Sequence, residues 1–315
     1  MADLSERPLA VTCYGPISID HIFQTGDAVQ PRLGRETFAH AYSTALGGGA
    51  GIVAVTLARL GLPSSLVSRV GADPPGIGLL TQLRAEGVDV SHVQVLCDQA
   101  TDVSVAFTCA TDRGFLSHVA ASKVLDHVQM ESPCLARTRH LHLCLSPTEV
   151  PDHWRGLIHQ AHEVGATVSI DLGWQLDWDL RFCDWLGEAD IIFPNETEAL
   201  HLAHTRSLDR AMKLLGARGA TVVIKRGVQG ALAFRDGQRL DVPPMPVTQV
   251  VDSTGAGDMF AAGFLWAFLG DHPLCSCLRA GSLCGARCVE QCGGLATPPT
   301  RADLEAAIWD TAPIE

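Results

Sequence analysis

The chain is expected to be an α/β protein with a parallel central sheet between helix layers. Three observations predict this. From about Leu135, short apolar runs at 140–145, 166–171, 191–193 and 221–225 alternate with helical patterns at 152–164 and 206–218. The runs are apolar throughout rather than alternating, as strands covered on both faces must be. Asp171, Asn195 and Lys225-Arg226-Gly227 fall at the C-terminal ends of these strands, where open α/β sheets bind ligands.

With 315 residues, 47% hydrophobic and 18% charged, the chain can bury a sizeable core and does not read as disordered. A net charge of −12 with no long basic run excludes nucleic acid and anionic membranes as bulk partners; an anionic substrate would need a local positive site. No apolar run approaches the ~20 residues of a membrane span. The opening Met-Ala-Asp-Leu-Ser-Glu-Arg-Pro is not a signal peptide, so a cytoplasmic location is expected. The 11 cysteines are accordingly read as reduced thiols. Cys284, Cys288 and Cys292 would share a helix face, with Cys275 and Cys277 upstream. No Cys-x-x-Cys pair or zinc-type histidine spacing accompanies them, so small apolar core positions account for them. His140 and His142 alternate along a strand and share a face as polar neighbours rather than ligands.

In chain order, 9–14 is a buried strand stopped by Gly15-Pro16, and 17–23 is a strand carrying Asp20. A carboxylate inside an apolar strand is costly to bury alone, so Asp20 either faces water at an edge or accepts hydrogen bonds from substrate hydroxyls. Residues 32–43 alternate weakly and read as an exposed strand. Gly47-Gly48-Gly49-Ala50-Gly51 precedes a helix over 52–60, with Gly61 just past its end. A strand over 64–70, a turn at Gly71-Ala72-Asp73 and a helix over 77–86 ending at Gly87 follow. Segments 102–110 and 115–120 are β-rich and joined by Thr111-Asp112-Arg113-Gly114, a hairpin signal. Phe107 and Phe115 either pack in that hairpin or face a substrate or a partner lid. Trp174 and Trp178, after the Asp171 strand, either wall a pocket or pack. Asn195 and Glu198 have the spacing of a helix capping box. Helices over 274–291 and 301–309 close the chain, with Cys292-Gly293-Gly294 between them. No repeat or low-complexity linker divides it, and residues 1–315 are expected to form one domain.

The stretch that carries chemistry is Val251-Asp252-Ser253-Thr254-Gly255-Ala256-Gly257-Asp258, followed by an apolar run from Met259 to Leu269. The glycines sit at a helix N-terminus, where main-chain N–H groups lack helical partners and the macrodipole adds positive charge, a setting for phosphate. Glycine lets the backbone approach an anion without a Cβ in the way. Asp258 would repel phosphate, and makes sense there if it takes a proton from a hydroxyl that attacks phosphorus. The plainer account is a helix cap from Asp252, Ser253 or Thr254 with Asp258 in the first turn.

The whole string, Asp-Ser-Thr-Gly-Ala-Gly-Asp followed by Met-Phe-Ala-Ala-Gly-Phe, resembles the C-terminal signature of the ribokinase-like sugar kinases, the phosphofructokinase-B type. Leu46-Gly-Gly-Gly-Ala-Gly51 resembles their N-terminal substrate motif, with Gly49 where several relatives have Lys and Ile52 where many have Asn. Gly71, Asp73 and Gly76 match as well, Asn195…Glu198 resembles their Asn-x-x-Glu motif, and Lys225…Gly227…Gly230 resembles the nucleotide-side turn. The similarity runs from Gly15 to about Gly294.

It implies a ribokinase-like fold with a small β-sheet lid drawn from about 17–45 and 102–120. The implied activity is transfer of the γ-phosphoryl group of ATP to a hydroxyl of a non-phosphorylated sugar or sugar acid of the ribose, fructose or 2-keto-3-deoxygluconate type. In that scheme Asp258 is the base and Gly255, Ala256 and Gly257 form the anion hole. Asp20, Gly47, Gly48 and Asp171 hold the acceptor. Lys225, Gly227, Gly230, Asp252 and Gly294 serve the nucleotide, and Asn195 and Glu198 organise Mg2+. A monovalent cation (K+) near Asp252 and a homodimer through the lid are further implications. A nucleoside kinase of the same fold and a non-catalytic sugar-binding sensor are the alternatives. The departures at Gly49 and Ile52 favour the sensor, and the intact Asp258 argues against it.

Overall fold

The computed structural model describes residues 9–25, 33–108, 113–122, 132–145, 151–173 and 185–309. Among these residues the chain forms two sheets. The large one is built from β1 (Leu9–Tyr14), β4 (Ser64–Gly71), β5 (Asp89–Leu96), β8 (Thr138–Leu145), β9 (Thr167–Leu172), β10 (Ile191–Phe193), β11 (Thr221–Lys225), β12 (Ala231–Arg235) and β13 (Gln238–Val242). Their spatial order is β13-β12-β11-β10-β9-β8-β1-β4-β5. Pairing is parallel from β5 across to β11 and antiparallel through β12 and β13. The small sheet joins β2 (Ser18–Gln24), β3 (Ala41–Gly47), β6 (Asp102–Thr108) and β7 (Arg113–His118) in the order β3-β2-β6-β7. It is mixed, since β2 runs parallel to β6 while the outer pairs are antiparallel. This is the expected α/β architecture with a separate lid.

The predicted double coverage of the large sheet follows from how its strands divide their side chains. Val223 faces one apolar layer with Met259, Phe264 and Leu265, while Val222 and Ile224 face the other with Trp154, Ile158 and Met212. The first layer is closed by the helices Gly49–Arg59, Pro74–Ala85, Ala256–Phe268, Leu274–Val289 and Arg301–Trp309, and the Ala256–Phe268 helix is buried from Met259 to Ala267. A helix apolar all round belongs in a core, which its sequence already implied. The second layer is closed by Pro151–Glu163, Glu196–Leu202 and Leu208–Leu215.

Several boundaries differ from the sequence reading. Residues 36–39 have no regular structure, and the strand expected over 32–43 is instead β3, which continues to Gly47 because its pairing partner β2 extends to Ser18. The first helix begins at Gly49 rather than at residue 52, so two of the glycines lie within it. Pro74–Ala85 is capped by Asp73, whose Oδ1 accepts from Gly76 N at 3.0 Å. The Leu274–Val289 helix stops short of Cys292, which is exposed, whereas Cys284 and Cys288 are buried as expected. His140 donates or accepts to Thr167 Oγ1 and Ser169 Oγ, both at 2.7 Å, and burial pulls it and His142 down to about 3, so both are neutral. Phe107 stacks 6.5 Å from Phe23 inside the lid, and Phe115 is exposed. Trp174 and Trp178 lie outside the described residues, as do Thr111 and Asp112 of the turn at 111–114. Among the described residues no helix is long and apolar enough to cross a membrane.

Candidate active site

The C-terminal ends of β8 to β11 and the N-termini of two helices open on one cavity of about 990 Å³. The Ala256–Phe268 helix starts from Gly255, which is left-handed at φ 75°. A Cβ there would stand 2.6 Å from Gly294 Cα, so only glycine lets the two main chains touch. The N–H groups of Gly257 and Asp258 have no partner among the described residues, and both residues line the cavity. From across the site the Gly49–Arg59 helix begins at Gly48, φ 82°, and the N–H groups of Gly49 and Ala50 are likewise unpartnered among the described residues. Two positive helix ends therefore face one space.

Asp258 sits where these ends meet. Its Oδ1 is 2.7 Å from the point a Cβ on Gly49 would occupy. Asp20 lies against the same turn, for a Cβ on Gly47 would overlap its carboxylate, and Ser18 Oγ donates to Asp20 Oδ1 at 3.1 Å. The close pairing of β2 with β3, Ser18 opposite Gly47, brings Asp20 to this position. Burial first, then the charges of Asp171 and Asp20, push Asp258 up to about 7, against the pull of Lys225. Asp20 is raised as well, chiefly by burial.

Lys225, the last residue of β11, donates from Nζ to Asp171 Oδ1 at 2.7 Å and Oδ2 at 2.9 Å. Burial favours its neutral form, but Asp171, Glu198 and Asp258 outweigh burial and hold the ammonium above its ordinary range. Arg226 donates to Glu196 Oε2 at 2.7 Å beside it. The capping box predicted at Asn195 is formed: Asn195 Oδ1 accepts from Glu198 N at 2.8 Å, and Glu198 Oε2 accepts from Asn195 N at 2.7 Å. Burial pushes Glu198 up to about 7. A buried carboxylate so placed suits an incoming cation, but no group of three or more His, Cys, Asp or Glu among the described residues could grip a metal alone. The set fits a magnesium ion held mainly by phosphate oxygens and water, with Asn195 and Glu198 behind it.

Of the residues singled out from sequence, Asp171, Asn195, Glu198, Lys225, Gly227, Gly230, Gly255, Ala256, Gly257 and Asp258 line the cavity. Asp20, Gly47, Gly48, Asp252 and Gly294 do not. Gly47 and Gly48 lead into the turn whose Gly49 lies beside Asp258, and Asp20 on β2 packs against Gly47. Asp252 is buried and ties loops together, accepting from Thr254 N at 2.9 Å and from Gly293 N at 3.0 Å. Gly294 backs Gly255, and Ile52 packs against it, since a Cβ on Gly294 would lie 2.6 Å from Ile52 Cδ1. The sequence reading missed the cavity's far end, an apolar wall of Met245, Val247, Val250 and Val289. Its one signal is the proline-rich, apolar stretch that follows Val242. Cys144 was missed as well. It lies beside Gly49, two residues beyond the more conspicuous His140 and His142 pair.

A nest of main-chain donors beside a carboxylate, at the strand ends of a lidded α/β sheet, defines a phosphotransferase acting on an alcohol group. Comparison with known proteins gives the family. The model of the pfkB family carbohydrate kinases matches residues 9–301, and the chain belongs to that family. It is 32% identical over 282 residues to a fructokinase of Klebsiella pneumoniae, covering 83% of this chain and 91% of that protein. It is 30% identical over 257 residues to an ATP-dependent ribose-1-phosphate kinase of Halopiger xanaduensis, covering 80% of this chain and 83% of that protein. A crystal structure of a PfkB protein from Polaromonas sp. JS666 superposes with a TM-score of 0.76 at 28% identity, covering 95% of this chain and 100% of that one.

Proposed function

We propose that the chain transfers the γ-phosphoryl group of ATP to a hydroxyl of a non-phosphorylated sugar or sugar acid. One observation carries the reading: the carboxylates of Asp258 and Asp20 flank the Gly47–Gly49 turn, whose Gly49 lines the same cavity as the unpartnered N–H groups of Gly257 and Asp258. An acceptor seated there meets two negative groups. The cations lining the cavity among the described residues are Lys225 and Arg226, each already engaged by a carboxylate. That balance favours an uncharged polyol of the ribose or fructose type over a phosphorylated one.

Asp258 accepts the proton of the attacking hydroxyl, while Asp20, with Gly47 and Gly48 beneath it, orients the acceptor's other hydroxyls. The main chain of Gly255, Ala256 and Gly257 stabilises charge on the phosphoryl oxygens. The turn through Lys225, Gly227 and Gly230 borders the nucleotide, and the wall of Met245, Val247 and Val250 takes its base. Bound magnesium would neutralise phosphate charge, with Asn195 and Glu198 organising its surroundings. Asp252 and Gly294 shape the adjoining loop, where a K+ site is proposed. The lid shuts water out of the acceptor end, and its exposed Tyr42 and Leu116 suit pairing with a second lid in a homodimer.

The test is ADP release with magnesium ATP and D-ribose, D-fructose, 2-keto-3-deoxygluconate, ribose 1-phosphate or cytidine as acceptor. Turnover of a free sugar is expected. Turnover of ribose 1-phosphate or cytidine alone would overturn the acceptor class, and tight sugar binding without turnover would make the protein a sensor.

A further inference from the structure

We propose that Asp171 is a positioning residue for phosphoryl transfer, holding Lys225 Nζ over the Gly255–Gly257 main chain so that the ammonium meets the transferring group. The inference rests on the phosphotransfer reading above and assigns Asp171 to Lys225 rather than to the acceptor.

The geometry is specific. Asp171 is buried near the end of β9, and Lys225 ends β11, with only β10 between them. Nζ donates to both carboxylate oxygens, at 2.7 and 2.9 Å. An ammonium has three donors, so one N–H remains, and it has no partner among the described residues. Nζ also stands 3.2 Å from the point a Cβ on Gly257 would occupy, and the main-chain N–H of Gly257 is itself unpartnered among the described residues. Two main-chain donors and one ammonium donor thus belong to residues that line the same cavity.

Without Asp171 the long lysine side chain would choose between Glu198 and Asp258, the other carboxylates whose charges bear on it. Pairing with Asp258 would tie up the base, and pairing with Glu198 would draw the ammonium away from the cradle. Two charge-assisted hydrogen bonds to one carboxylate remove that choice. Gly257 is part of the device, because any side chain there would meet Nζ.

The experiment compares Asp171→Asn, Lys225→Met and the double variant, with the sugar that the wild type phosphorylates as acceptor. Lys225→Met is expected to lower kcat about 10²-fold, the usual effect of losing one preorganised donor. Asp171→Asn should lower kcat at least 10-fold with acceptor KM within threefold of wild type, and the double variant should be no worse than Lys225→Met. A raised acceptor KM with kcat within twofold, or losses that multiply in the double variant, would overturn the proposal. Calorimetry with magnesium ADP, alone and with aluminium fluoride as a mimic of the transferring group, needs no acceptor. Both single variants should lose the tightening that fluoride adds, read for each variant as the ratio of its affinities with and without fluoride. Unchanged tightening would overturn the proposal even if no tested sugar is a substrate, an outcome that would count against the acceptor class alone. Should Asp171→Asn fail to fold, Lys225→Met with normal kcat and normal fluoride tightening would overturn it just as well.

Discussion

Replacing Asp258 by Asn should make the protein more stable and nearly inactive, and the stability gain should depend on pH. Burial and the neighbouring carboxylates push Asp258 from the ordinary 3.8 up to about 7. The folded chain therefore keeps a proton between those values that the unfolded chain has lost, so wild-type stability falls as pH rises from about 4 to about 7 and levels off above 7. A gap of about three pH units, at about 1.4 kcal/mol each, sets a ceiling near 4 kcal/mol at pH 8. Water in the cavity screens the charge, so roughly 2–4 kcal/mol is the expected gain. Asn has nearly the same shape and no charge, so it removes the penalty without leaving a void. At about 2 °C per kcal/mol for a chain of this size, the variant should melt about 4–8 °C higher at pH 8. The difference should shrink to less than half at pH 5 and vanish below about pH 4. Turnover should fall 10²–10⁴-fold, the usual share of a general base, or about 3–5 kcal/mol of barrier. Thermal melts of ligand-free protein at pH 5 and 8, with initial rates at pH 8, check both halves. A variant no more stable than wild type at pH 8 would refute the buried-charge argument, and near-normal turnover would remove Asp258 from the base role.

Three further outcomes follow from the same geometry. Gly49→Ala places a Cβ 2.7 Å from Asp258 Oδ1, so kcat should fall at least 10-fold while nucleotide affinity, measured by calorimetry, stays within threefold. Gly255→Ala forces an L side chain to φ 75° with its Cβ 2.6 Å from Gly294 Cα; urea unfolding should register a loss of about 1–3 kcal/mol, together with a weakened response to ATP. Asp20→Ala removes an acceptor of substrate hydrogen bonds, so the KM for the sugar should rise about 10-fold or more while the KM for ATP moves little.

The fold was legible where local pattern and tertiary environment agree. The strands β1, β10 and β11 are largely apolar because both faces of the sheet are covered, whereas β8 and β9 bury His140, His142 and Ser169 as a hydrogen-bonded polar group. Legibility ends at the edges. β5, with the sequence Asp-Val-Ser-His-Val-Gln-Val-Leu, has three exposed and four half-buried residues, and its broken alternation is a weaker signal than the glycines around it. The β12–β13 hairpin turns at Asp236-Gly237, both at positive φ, which is a standard hairpin dipeptide. The 32–43 assignment failed because weak alternation in an exposed segment fixes no register. Only the pairing of Gly47 with Ser18 does so, and that contact is invisible along the chain.

The site divides in the same way. Glycines carried most of the information because each marks a place where main chain or carboxylate must come too close for a side chain: Gly47 under Asp20, Gly49 under Asp258, Gly255 against Gly294. Such constraints are local in sequence even when the contact is not. Charged residues were legible as polar positions at strand ends but not as partners. Asp171 and Lys225 are 54 residues apart, and nothing in either segment indicates that the lysine would take both oxygens of that carboxylate. Yet this pairing sets the electrostatics of the centre. With Asp171 engaged, Asp258 is left without a hydrogen-bonded cation among the described residues, and its raised affinity for a proton is the property a base needs. On the proposed mechanism, chemistry at this centre depends on which carboxylate holds the Lys225 ammonium, a choice made by sheet order and not by motif.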